Sequence, residues 1–425
     1  MRGFLKSLLV FAIACGLGLG ALEIGATVAY RVARGRAFSR SEILGRLLND
    51  RVAGDDSGEL AGLALDSAVP DQPVILHPYF GFVINPEKPG VNELGFFGES
   101  PLTKRAPGKI VVAFFGGSVA DQVYYLGQNA LRDALRARED FTGQEIEVVS
   151  TAIGGYKQPQ QMLVLSYLLS LGAEFDVVVN LDGFNEIDSA HDNVMTGVYP
   201  YFPHTWKLHG RRAIDPAANA ALGRIEIARE ERQSLRQRFS SPLLRWSRFA
   251  LILWDLLDGG LAADIRGQSA RLEARLDDSD LPAQIRGPAF AYADDEQMYR
   301  EMARQWARSS AQMDRLCRMY DTVYLHFLQP NQYLPGSKVL TPEEREVAYD
   351  PDFTGYERVP LAYPLLREEG RRLREDLGVR FVDLTQLYAD EPGTIYNDFC
   401  CHVNQLGAAR MAEAIAAAIP TSVFQ

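Results

Sequence analysis

Ser118 follows two glycines at the end of an apolar run, in Phe114-Phe115-Gly116-Gly117-Ser118-Val119. Near the other end of the chain, Asp398-Phe399-Cys400-Cys401-His402 stands just before the last helical stretch. A serine hydroxyl is a poor nucleophile at neutral pH. It becomes competent when an imidazole takes its proton and a carboxylate orients the imidazole. Ser118, His402 and Asp398 are of the three types required. Two more segments bear on the same chemistry. Ala152-Ile153-Gly154-Gly155-Tyr156 offers a backbone N–H that a ligand can approach, and Asp182-Gly183-Phe184-Asn185-Glu186 offers a side-chain amide. A serine, an exposed glycine N–H and an Asn amide are the parts of an acyl-transfer oxyanion hole.

These residues need a scaffold that brings strand ends together. Residues 109–115, 145–150, 175–181, 322–328 and 379–384 read as five strands, and helical patterns at 121–139, 159–172, 296–320, 361–377 and 404–419 lie between and after them. Strands alternating with helices predict an α/β fold with a five-stranded parallel sheet. In such sheets ligands bind outside the carboxyl ends of the strands, which is where Ser118, Gly155 and Asn185 fall. Gln329, Asn331, Gln332 and Tyr333 open the loop after the fourth strand, so they are candidate substrate contacts. The pattern breaks over about 188–294, which predicts a mainly helical insertion, with helices at 217–239, 243–257 and 272–278. Residues 35–107 read as a lead-in dense in turn formers. Residues 108–425 are the expected catalytic domain.

Composition excludes several classes. The chain has 425 residues, 47% of them hydrophobic, enough for a large core. The net charge is −11, and no basic stripe with interleaved aromatics appears, so nucleic acid is not an expected partner. The cysteines are Cys15, Cys317, Cys400 and Cys401. A bridge from Cys317 to Cys400 or Cys401 is left open. There is no CxxC or HExxH spacing, so neither a metal nor another cofactor is expected. Adjacent Cys400 and Cys401 read as small buried hydrophobes.

Residues 7–30 form an apolar run interrupted by Glu23. About 20 apolar residues span a bilayer, so residues 1–34 are expected to be an uncleaved, single-pass transmembrane anchor. Arg31, Arg34, Arg36 and Arg40 on its C-terminal side lean towards a cytoplasmic domain. A large folded domain behind an N-terminal anchor is a common exported arrangement, and an exported, periplasmic or extracellular domain is the expectation adopted.

Taken together, Gly116-Gly117-Ser118, Gly155, Gly183-Phe184-Asn185-Glu186 and Asp398…His402 resemble the SGNH (GDSL-type) hydrolase superfamily, whose signature is Ser, Gly, Asn and His in that order. Two departures stand out: Gly117 replaces the usual Asp before the serine, and Asp398 lies four residues before His402 rather than three. The resemblance covers roughly 108–187 and 320–420. It implies a three-layer α/β/α sandwich, flavodoxin-like in topology. It implies Ser118 as nucleophile, His402 as general base and acid, and Asp398 as orienter. The N–H groups of Ser118 and Gly155 and the Asn185 amide would hold the oxyanion. A Gly116-x-Ser118-x-Ala120 run is one residue from the α/β-hydrolase elbow, but that fold places its nucleophile later and separates acid from histidine. The expected function is a serine esterase or O-acyltransferase on an ester-bearing substrate, with an O-acylated envelope glycan as one candidate. The alternative is a non-catalytic, membrane-anchored protein that binds glycan or a partner on a degenerate version of the same fold.

Overall fold

The computed structural model describes residues 23–32, 35–48, 74–207, 210, 215–276 and 281–421. The chain divides into two compact units, residues 73–210 with 279–425, and residues 1–72 with 211–278.

The larger unit is built on a parallel sheet. Its strands are Lys109–Gly116 (β3), Glu145–Ser150 (β4), Val177–Asp182 (β5), Val323–Leu328 (β6) and Arg380–Asp383 (β7), after an antiparallel pair, Val74–His77 (β1) and Gly81–Ile84 (β2). The sheet order is β4-β3-β5-β6-β7, with every pair parallel. Every residue of β5, and all of β3 after Lys109, is buried. Burial on both faces explains why these strands read as continuous apolar runs rather than alternating ones.

Register places the loops. Phe114 lies opposite Ser150, Gly116 opposite Leu181, and Asp182 opposite Leu328. The carboxyl ends of β3 to β6 are therefore level, and the segments after them emerge on one edge. The chain passes from β3 outward to β4, then returns to the other side of β3 for β5. That reversal opens a crevice between the β3 and β5 loops.

Among the described residues the six longer helices of this unit are Ser118–Arg136 (α1), Gln160–Ser170 (α2), Phe184–Met195 (α3), Asp295–Met319 (α4), Gly355–Leu377 (α5) and Gln405–Ala418 (α6). They fall into two packed groups, α1 with α6, and α3, α4 and α5 together with α2 against α4. The α5 helix begins six residues before its expected start and contains both Pro360 and Pro364. Neither proline has a backbone N–H, so two donors are missing from its ladder. Burial of Val359, Ala362, Tyr363 and Leu366, and an ion pair from Arg358 to Asp188 and Asp192 of α3, hold this extra turn in helical form.

In the smaller unit, Pro216–Phe239 packs along Arg248–Leu276. The second of these is one helix of 29 residues where two separate helices were expected. Glu23 does not stand in an apolar setting. Its carboxylate accepts from Ser247 Oγ at 2.8 Å and from the Arg248 N–H at 3.1 Å. The expected anchor lies mostly on residues outside those described. Among the described residues no helix is long and apolar enough to cross a membrane.

Candidate active site

The serine is placed by a backbone device. Gly116 has φ +148°, and a Cβ there would lie 2.1 Å from the Leu181 carbonyl oxygen, so only glycine passes this turn beside β5. The chain then enters α1 with Ser118 as its first helical residue. N–H groups in the first turn have no partner within the helix, and the helix dipole favours negative charge there.

His402 and Asp398 come from a tight loop closed by a bridge between Tyr396 and Val403 and by the Asn397 N–H donating to the His402 carbonyl at 2.9 Å. Asp398 Oδ1 accepts from the Cys400 N–H at 2.8 Å and the His402 N–H at 3.3 Å. Cys401 has φ +65°, a left-handed conformation uncommon outside glycine. That turn absorbs the additional residue between acid and imidazole. His402 Nδ1 lies 2.6 Å from Asp398 Oδ2, and His402 Nε2 lies 2.7 Å from Ser118 Oγ. The three side chains thus form one hydrogen-bonded relay. It stays open to solvent, with the His402 side chain 23% and the Asp398 side chain 40% exposed. Partial burial opposes the charge on Asp398. Its hydrogen bond to His402 and the two N–H donors outweigh burial and hold the carboxyl below its ordinary range.

The candidate oxyanion donors meet on the other loops. Asn185 is the second residue of α3, and its Nδ2 donates to the Tyr156 carbonyl at 2.9 Å, leaving a second N–H. A Cβ on Gly117 would lie 2.4 Å from Asn185 Nδ2, so the amide rests against the residue before the serine. Gly155 has φ +80°, and a Cβ on its neighbour Gly154 would stand 3.8 Å from Ser118 Cβ. Ser118, Gly155 and Asn185 therefore border one space.

Several supporting residues escaped the sequence reading. Glu186 is buried; it accepts from the Gly183 N–H at 2.8 Å, the Gln158 N–H at 2.9 Å and Gln161 Nε2 at 3.2 Å. It ties the β4 loop to the start of α3. Burial first, then the nearby Asp182, pushes its carboxyl up to about 8. A glutamate three residues after Gly183 is a helix-start signal that marks this role in advance. Asp182 itself accepts from Trp306 Nε1 at 2.6 Å and Asn180 Nδ2 at 2.7 Å and lies 2.9 Å from His326 Nε2, a fully buried network at the end of β5. Asp121, one turn along α1 from Ser118, has a buried, unpaired Oδ1. Burial raises its carboxyl to about 6, with His402 pulling the other way. No local pattern signals it.

Gln329, Asn331, Gln332 and Tyr333 are all buried. Gln332 Nε2 donates to the Asp398 carbonyl at 2.9 Å, and Gln329 Nε2 to Cys401 Sγ at 3.2 Å. Asn331 Oδ1 accepts from the Tyr333 N–H at 3.0 Å, and the Tyr333 hydroxyl from the Asp350 N–H at 3.2 Å. The Gln329 and Gln332 side chains thus brace the Asp398–His402 loop from inside. From the α1 side, Gln122 Oε1 accepts the Val403 N–H at 2.9 Å. Cys317, Cys400 and Cys401 are free thiols, each pushed up by burial, Cys400 to about 12. Trp254 is buried, while Trp246 is exposed under the Arg40 guanidinium, 5.0 Å from its ring centroid.

No protein-family model matches the chain, and no curated protein matches it.

Proposed function

We propose that this chain is a serine esterase or O-acyltransferase that works through an acyl-serine intermediate. The continuous relay Ser118–His402–Asp398 carries the proposal. With the Nδ1 proton towards Asp398, Nε2 is the lone pair facing the serine hydroxyl. Ser118 Oγ attacks the ester carbonyl as its proton passes to Nε2. The carbonyl oxygen becomes an oxyanion held by the Ser118 and Gly155 N–H groups and the free N–H of Asn185. The C–O bond to the alcohol then breaks, and His402 returns the proton to the leaving oxygen. Water or a second alcohol, deprotonated by the same imidazole, takes the acyl group from Ser118. Oxyanion donors of this kind are each worth about 3 kcal/mol.

The parallel sheet with its order reversal, and the two helix groups, support a three-layer α/β/α sandwich of the SGNH type. The resemblance of the four motif blocks points the same way. The reading includes a single-pass anchor within residues 7–30 and an exported catalytic domain, both supported by the apolar run ahead of a large folded unit. An O-acylated glycan of the cell envelope is the substrate class that fits such a location. The non-catalytic alternative rested on two departures, the Asp398 spacing and Gly117 in place of Asp; the 2.6 Å contact between Asp398 and His402 speaks against the first of them.

The test uses full-length protein in detergent with p-nitrophenyl acetate and a fluorophosphonate probe. The expected result is hydrolysis, a probe adduct on Ser118 in the mass spectrum, and loss of both in Ser118→Ala. Adding alcohols as acceptors separates a transferase from a hydrolase. A folded wild-type protein that neither hydrolyses nor labels would sink the proposal.

A further inference from the structure

The loop at residues 199–206 ends against the Gly155 turn. A Cβ placed on Gly155 would lie 3.0 Å from His204 Nδ1, 3.4 Å from its Cβ and 3.5 Å from its Cγ. The imidazole thus packs directly on the glycine to which the proposed mechanism assigns an oxyanion N–H. We infer that His204 is a specificity-determining residue, a wall that restricts this site to short acyl groups; the inference rests on the esterase or acyltransferase reading of Ser118.

Reach comes first. A carbonyl oxygen bonded to the Gly155 N–H lies about 3 Å from that nitrogen. Backbone geometry then keeps the His204 ring nitrogen within about 8 Å of that oxygen. Only a few bonds of substrate fit in that distance. Direction follows from the proton path. His402 must protonate the leaving oxygen, so the alcohol lies on the His402 side of the tetrahedral carbon. The oxyanion points to Gly155 and Asn185. The remaining substituent, the acyl chain, points away from His402, along the side that His204 closes.

The wall is also built to stay in place. The Phe202 carbonyl accepts from Lys157 Nζ at 2.6 Å and from Asn193 Nδ2 at 2.9 Å. Lys157 is buried and only two residues from Gly155, so the turn that supplies the glycine also anchors the loop that covers it. Pro203 sits so close to Gly81 that a Cβ there would be 2.3 Å from its Cγ. On the far side Trp206 Nε1 donates to the Gln284 carbonyl at 3.2 Å. Between these clamps Thr205 has φ +59°, a left-handed conformation that is strained for a β-branched residue. The loop accepts that strain in the residue next to His204. Strain held by surrounding contacts is a mark of positioned groups.

The experiment measures kcat/KM of the full-length protein in detergent for p-nitrophenyl acetate, butyrate and hexanoate, which share one leaving group. Wild type should fall steeply from acetate to hexanoate. His204→Ala should lower the acetate-to-hexanoate ratio by roughly tenfold or more, the discrimination that a few methylenes carry. His204→Phe, which keeps the bulk, should hold the wild-type order, and fluorophosphonate labelling of Ser118 should persist in both variants. An unchanged ratio in His204→Ala, or a wild type that takes hexanoate as readily as acetate, overturns the inference; the second holds whether or not a variant folds. A wild type that neither labels nor hydrolyses overturns the Ser118 reading and this inference together. Turnover with a fixed ratio removes His204 alone.

Discussion

Asp398→Asn is the perturbation with the most to say about the relay. Asn retains one oxygen, which can still accept the Cys400 and His402 N–H groups at Oδ1, so the loop keeps its shape. What changes is the group 2.6 Å from His402 Nδ1. An amide NH2 there donates, forcing the Nδ1 lone pair towards Asn and the proton onto Nε2. Nε2 then faces Ser118 Oγ as a donor and takes no proton from it. In a protease with a fully buried aspartate this change costs about 10⁴ in kcat. The Asp398 side chain is 40% exposed, so water can reach Nδ1 and restore part of the reactive tautomer. The expected loss is therefore smaller, roughly 10²–10³ in kcat, or about 3–4 kcal/mol of barrier. The assay is steady-state hydrolysis of p-nitrophenyl acetate alongside the rate of fluorophosphonate labelling, with both expected to fall together. Folding is checked by urea denaturation. A folded Asp398→Asn within threefold of wild type, beside an inactive Ser118→Ala, would refute the orienting role.

Gly117→Ala should reproduce the loss of one oxyanion donor, about 10²–10³ in kcat, because its Cβ would lie 2.4 Å from Asn185 Nδ2 and must displace the amide. Combining it with Asn185→Ala should cost little more than either change alone, and additive losses would contradict the shared cause. For Asp121, burial raises the carboxyl from 3.8 to about 6, so the folded protein holds that proton more tightly than the unfolded chain. Its contribution to stability is present below about pH 3.8 and is lost as pH rises through 6. Asp121→Asn should thus match wild type near pH 3.5 and exceed it by about 1–3 kcal/mol at pH 7 in urea melts; no gain at pH 7 would count against the burial argument.

The chemical parts of the site were legible because each carries a local signature. A Gly-Gly turn after an apolar run, a glycine pair after the next strand and an Asn after the third are all short-range patterns. Continuous apolar strands separated by helical periods were equally legible, and the five-stranded parallel sheet follows from them. Other features were decided at long range. Ser118 and His402 are 284 residues apart in sequence, and their 2.7 Å contact depends on strand register and on the packing of α6 against α1. The fit of Asp398 depends on a left-handed Cys401, a conformation that no sequence pattern announces at a cysteine.

Tertiary packing also turned Gln329 and Gln332 inward, where their amides satisfy the loop that carries the acid and the imidazole. It set His204, from a stretch without periodic signal, onto Gly155. Residue type and local spacing determined which chemistry this chain can attempt, because nucleophile, base and turn glycine are properties of single residues and their neighbours. Which groups touch was decided by the fold, since those contacts form only when distant segments share one sheet edge.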